Sequence, residues 1–400
     1  MWGIRIRGLA TLAVAARCVE AQSPPLRELS KPDAEFSQPF SIMASIRQLR
    51  DGRVLVADRS DKTVQLIDFV RQTATPVGRT GQGPGEFGIP YRLFGLRGDT
   101  TLLADLQNLR YLVISPSGKA GDVFALDDTP DRRVVGVADA VDRTGRLYFF
   151  VDDRYGARDA SGLSAAQDKI VVRRDRVSRR VDTVTTLATP PGRRNATRSL
   201  PGGKVFDYTN RPLAPEDAVA FAADGRIAVV RAADYHVEWI GVNGNIVKGP
   251  PVPYDAPHVT QADKDAFVAH QTRAGQIIVF VQGGATPPPT SGSGARTPPP
   301  GAMPAPRGLM DAADVVWPAR MPAFLGSAAK VADDGRLWVL RVGAASDNTP
   351  DYDVFDERGQ RVERVALPKG TRLMGFGAGA VYLVRTDADD LQYLQRYQVR

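Results

Sequence analysis

Thiols and imidazoles are scarce in this chain. Four hundred residues hold one cysteine, Cys18, and three histidines, His236, His258 and His270. A lone thiol excludes an internal disulfide and a Cys-based zinc site. The histidines do not read as a zinc set, because His258 and His270 fall in one insertion while His236 opens a strand. There is no Gly-x-Ser-x-Gly elbow and no Gly-x-x-x-x-Gly-Lys-Ser/Thr phosphate loop, which removes two common routes to catalysis. No stretch approaches the roughly 20 apolar residues that span a bilayer. Neither sign of charge dominates: 52 Lys and Arg stand against 45 Asp and Glu, for a formal net charge of +7. Long basic blocks are absent. The clusters Arg173-Arg174-Asp175-Arg176 with Arg179-Arg180, and Arg193-Arg194 with Arg198, read as solvated hairpin tips, not as a nucleic-acid stripe.

The first residues do carry a pattern. Arg5 and Arg7 precede the apolar run Gly8–Ala16, and Val19-Glu20-Ala21 places small residues ahead of Gln22. Residues 1–21 therefore read as a secretory signal, and the mature chain is expected to be secreted or periplasmic. Cys18 lies inside that segment behind the charged Arg17, which does not suit a lipidation site.

What is abundant is one short phrase, met six times: a tight turn, an alternating apolar run, then a charge. The copies are Asp51–Asp58, Gly98–Asp105, Gly145–Asp152, Asp224–Arg231, Asp334–Arg341 and Gly379–Arg385. Their glycines, Gly52, Gly98, Gly145, Gly225, Gly335 and Gly379, are 46, 47, 80, 110 and 44 residues apart. A hairpin period of about 45 residues indicates an all-β, six-bladed β-propeller with four-stranded antiparallel blades. The blades are expected near residues 40–77, 90–127, 134–187, 218–250, 327–367 and 371–400. Blade six lacks an outer strand, so the N-terminal segment Leu26–Leu29 is expected to close it. Insertions 188–217 and 251–326 break the period. The second contains a helix N-cap at Thr260 with Asp263 three residues on. It also holds the Pro/Gly-rich tract 283–308, expected to be disordered for want of apolar surface.

The segment Gly81-Gln82-Gly83-Pro84-Gly85-Glu86-Phe87-Gly88-Ile89-Pro90 resembles the linker of NHL repeats, and Asp105–Ile114 continues like the second half of one. Pro322-Ala323-Phe324 followed by Asp334–Val339 is similar to exported bacterial six-bladed propellers of unassigned role. The resemblance implies a fold and an extracytoplasmic setting, and no reaction.

Three function classes follow. The first is a non-catalytic binding or scaffold propeller that recognises a protein or an anionic glycan on one face, as a monomer and without a cofactor. The second strands end in Asp58, Asp105 and Asp152 in blades one to three, and in Arg231, Arg341 and Arg385 in blades four to six. An acidic arc would face a basic arc, and the guanidinium groups would suit carboxylate or sulfate. The plainer alternative is that each Asp caps its own turn and each Arg pairs with a neighbour, for instance Arg231 with Asp152. Gln82, Glu86, Tyr91 and Arg92, in the loop and strand after blade one, complete the candidate contact set. The second class is a metal-dependent hydrolase or lyase with a calcium-like divalent cation in its channel. The third, an NHL-like nucleic-acid binder, requires that the chain not be exported. Trp239, Trp317 and Trp338 read as packing residues, not sugar platforms.

Overall fold

The computed structural model describes residues 24–125, 136–152, 169–188, 195–199, 205–209, 212–273, 278–281, 308–311, 317–345 and 349–399. The signal-like residues 1–21 and most of the Pro/Gly-rich tract, 283–307, lie outside them.

The chain is a six-bladed β-propeller. Blade one orders its strands Met43–Gln48, Val54–Asp58, Thr63–Asp68 and Thr73–Pro76 from axis to rim. Blades two and four repeat that meander. Blade three does so with an inner strand of only two residues, Ala140–Val141. The alternating runs form strands because one residue in two can enter an inter-blade core. The turn glycines Gly52, Gly98, Gly145, Gly225, Gly335 and Gly379 all adopt positive φ, between 66° and 93°, which side chains resist. In three of these turns the same clip recurs. Asp51 accepts from the amide and Nε of Arg53, and Asp224–Arg226 and Asp334–Arg336 repeat it.

Ring closure is visible in the core itself. Among the described residues the buried apolar side chains form six clusters, and each spans two adjacent blades. The cluster between blades six and one joins Val54, Val56 and Ile67 to Tyr382, Val384 and Leu394, with Phe36 fully buried between them.

That closure corrects one expectation. An N-terminal strand does complete blade six, but it is Ala34–Glu35, paired antiparallel with Gln392–Gln398. Leu26–Glu28 instead adds a fifth, parallel strand to the rim of blade five, beside Arg361–Ala366. Two contacts set this choice. Arg27 pairs with Glu363 of blade five at 2.8 Å, and Leu29 drops into the cluster with Trp338, Tyr352 and Val365. The blade-six edge is left for the segment that carries Phe36, the larger apolar group.

Within the second insertion, the helix Gln261–Arg273 begins as its cap pattern indicates. The Thr260 amide donates to Asp263 at 2.8 Å and the Asp263 amide donates back to the Thr260 hydroxyl at 3.3 Å. Among the described residues no helix is long and apolar enough to cross a membrane. Trp239 and Trp338 are 2% and 1% exposed in the inter-blade cores, and Trp317 packs edge-on against Phe267.

Candidate functional site

The charged strand ends are occupied. Asp58 is buried and accepts from the amides of Ile42, Ser60 and Asp61 at 3.0, 2.8 and 3.0 Å. Asp105, also buried, accepts from the amides of Gly88 and Ile89 and from the amide and side chain of Asn108. Each carboxylate pins the segment that leads into its own blade. Asp152 ends its strand, but its side chain lies outside what the structure describes.

Each strand-end arginine has carboxylate partners as well. Arg231 bonds Asp217 at 2.8 Å and Glu238 at 2.7 Å; its expected partner Asp152 has its side chain outside the described residues. Arg341 bonds Asp351 at 2.9 Å. Arg385 forks onto Glu35 at 2.9 and 3.1 Å and lies over the Tyr393 ring at 4.4 Å. These contacts hold the Glu35 carboxyl below its usual range, with the Arg385 hydrogen bond the largest cause. A guanidinium whose fork already grips a carboxylate has little left for a ligand. The basic arc is therefore a set of structural clamps. Its partners lie from 7 to 350 residues away along the chain, with no common spacing to reveal them.

Glu86 builds its own loop, accepting from the Gly83 amide at 2.8 Å and from Arg79 at 2.7 Å, and both hold its carboxyl below the usual range. Gln82 is exposed in that loop. Tyr91 and Arg92 are placed differently: both line the central channel. Arg92 lies over the Tyr91 ring at 5.1 Å and donates to the Asp139 backbone carbonyl at 2.7 Å.

The channel is a concavity with two connected halves. One half, about 550 Å³, is walled by inner-strand residues of all six blades, from Ala44 and Ser45 of blade one to Met374 and Gly375 of blade six. The other half, about 760 Å³, shares Phe94, Asp139, Phe221, Asp333 and Phe376 with the first, so the two are continuous. Both volumes fall in the range of about 300–1,000 Å³ usual for ligand sites.

Its charge is lopsided. Arg47, Arg50, Arg92, Arg97, Arg143 and Lys330 line it, against Asp99, Asp139 and Asp333. Arg47 is paired with Asp99 at 2.8 Å. Among the described residues the side chains of Arg50, Arg97, Arg143 and Lys330 meet no carboxylate within ion-pair distance. Near Lys330, on the inner strand of blade six, Arg372 also lacks one and donates to the Met374 sulfur at 3.3 Å. Lys330 is open to water inside the channel yet ringed by protein. Burial lowers its pKa, and Arg372 and Arg92 push it the same way. Burial also raises the Asp139 and Asp333 carboxyls, against the pull of the nearby arginines.

Lys330 carries no signal in the sequence. Ala329-Lys330-Val331 reads as ordinary alternation with its polar residue facing water. Only the ring geometry turns that water-facing side toward the axis.

Among the described residues no three His, Cys, Asp or Glu side chains are grouped to hold a metal ion.

No family model matches the chain, and no curated protein matches it. Solved propellers do resemble it in fold. One is a calcium-binding protein, regucalcin, from Agrobacterium tumefaciens, at 10% identity and TM-score 0.38, covering 94% of this chain and 97% of that one. Another is a chain from Bacteroides fragilis described as an exported protein, at 11% identity and TM-score 0.44, covering 94% and 99%. A third is a gluconolactonase from Xanthomonas campestris, at 10% identity and TM-score 0.39, covering 91% of each chain. At such identities the likeness is one of fold.

Proposed function

We propose that this chain is an extracytoplasmic binding propeller that takes an anionic ligand, an acidic glycan foremost, in its axial channel. One observation carries the reading: Lys330 lines the channel, Arg372 lies near it on the inner strand of blade six, and among the described residues neither meets a carboxylate, while the strand-end arginines of the same molecule are paired. Cations enclosed by protein lose hydration, and an incoming anion restores what the structure does not supply. Arg50, Arg97 and Arg143 at the other mouth extend the field that would draw such a ligand in. Aromatic walls from Tyr91, Phe150 and Phe221 offer apolar faces to a carbon skeleton. The extracytoplasmic setting rests on residues 1–21 and on the resemblance of residues 81–90 to NHL-type linkers, and an export assay tests it.

Calorimetric titration with oligogalacturonate tests the ligand. Affinity should fall about tenfold in Lys330→Gln and in Arg372→Gln, the loss of roughly one charge-assisted contact. Equal affinity in the wild type and both variants would remove the proposal.

A further inference from the structure

We propose that Lys330 captures a carboxylate bearing an aldehyde or ketone group by forming an imine with it inside the channel. The inference deepens the anion-site reading and rests on it. Lys330 is the lysine among the channel-lining residues, and it lies on the inner strand Phe324–Val331 of blade five. Among the described residues no carboxylate ties up its amine. Enclosure and the two nearby guanidinium groups favour the neutral, nucleophilic form, the condition that activates lysines toward carbonyls. Of these guanidinium groups Arg92 is held by Asp139, which leaves Arg372 as the natural seat for the ligand's carboxylate and brings the carbonyl to the amine.

The step balances without an oxidant or a reductant. The Nζ lone pair forms a bond to the carbonyl carbon, and the C=O π pair moves to oxygen, which takes up a proton. Nitrogen gives up its protons as the C=N bond forms, and the hydroxyl leaves as water. The reverse path, hydrolysis, releases the ligand unchanged.

Reductive trapping tests this on the full mature chain. The protein is incubated with pyruvate and sodium cyanoborohydride in mildly alkaline buffer, digested and mapped by mass spectrometry. The exposed Lys62, Lys248 and Lys369 serve as internal references. The reduced adduct should appear on Lys330 at about ten times the reference yield, in the direction that a lowered amine pKa favours. Lactate, which keeps the carboxylate and lacks the carbonyl, should suppress it. Even labelling across the lysines, or labelling unmoved by lactate, would overturn the proposal.

Lys330→Arg removes the nucleophile and keeps a cation, so the adduct at this position should vanish. If binding depends on Lys330 and Arg372 but the wild type forms no preferred adduct, the imine falls and the anion site stands. If the wild type neither binds nor traps, both fall. Lys330→Met, followed by its melting temperature, guards against an unfolded variant being read as a loss of chemistry.

Discussion

Charges at the strand ends and charges along the axis obey different rules in this molecule. At the strand ends, Asp58 and Asp105 gather backbone amides, and Arg231, Arg341 and Arg385 grip carboxylates from other segments. Along the channel, Arg47 and Arg92 still pair with Asp99 and Asp139, but among the described residues Lys330 and Arg372 meet no carboxylate. The strand-end groups act alike although their signs are opposite. Each ties a second strand to another segment of the chain, and whether the fastener is an acid or a base depends on what the partner segment presents. Lys330 and Arg372 are held by no such pair, which leaves their charge available to a ligand.

The contrast breaks most easily at Asp105. Replacing it by alanine strands the amides of Gly88 and Ile89 and both Asn108 donors in a fully buried site. The loss should be about 3–5 kcal/mol, read as a drop in the urea midpoint. A loss below about 1 kcal/mol would show that the strand-end carboxylates are not fasteners. Arg231→Ala comes next, at about 2 kcal/mol, because Asp217 keeps only 4% of its side chain exposed and would lose its cation.

How much of this was legible along the chain differs between the ring and its centre. The six turns were readable because a positive-φ glycine followed by an alternating run is a local requirement, met by neighbours in sequence. The closing strand was misplaced by a few residues. Phe36 decides it by filling the core between blades six and one, a pocket that exists only once the ring has closed. Arg231, Arg341 and Arg385 were readable as a pattern and not as a function, since Asp217, Asp351 and Glu35 lie 14, 10 and 350 residues away. Arg92 was reached for its place beside a glycine-rich loop, and the structure puts it in the channel for another reason, its register on an inner strand. Lys330 was invisible, because no single strand shows which of its faces meets the axis.

A gentler test uses pH. The Lys330 pKa is lowered in the folded chain, so the folded state is penalised wherever the amine is charged. That penalty is present below the folded pKa and fades as pH rises from it toward the ordinary lysine value of about 10.4. Wild-type stability should therefore gain on Lys330→Met across that alkaline window, while at neutral pH the variant is as stable as wild type or more so. Glu35 runs the other way. Its pKa is depressed, so its contribution is present above the unfolded carboxyl pKa and is lost as pH falls through the folded value. Glu35→Gln should flatten the acid limb of the stability curve and leave the alkaline limb alone. If Lys330→Met changed the acid limb instead, the assignment of an unpaired axial cation would be wrong.

The smallest effect separates the binding reading from a metal-dependent one. Since no three ligating side chains are grouped among the described residues, adding calcium or a chelator should leave the melting temperature where it is. A stoichiometric divalent metal in the purified protein would favour the hydrolase or lyase alternative.

The most direct measurement is where an anion sits. Crystals soaked in bromide and measured at its absorption edge would show bound ions as anomalous peaks. The account predicts peaks in the axial channel beside Lys330 and Arg372, and none on Arg231, Arg341 or Arg385. Peaks at those three arginines with an empty channel would contradict it.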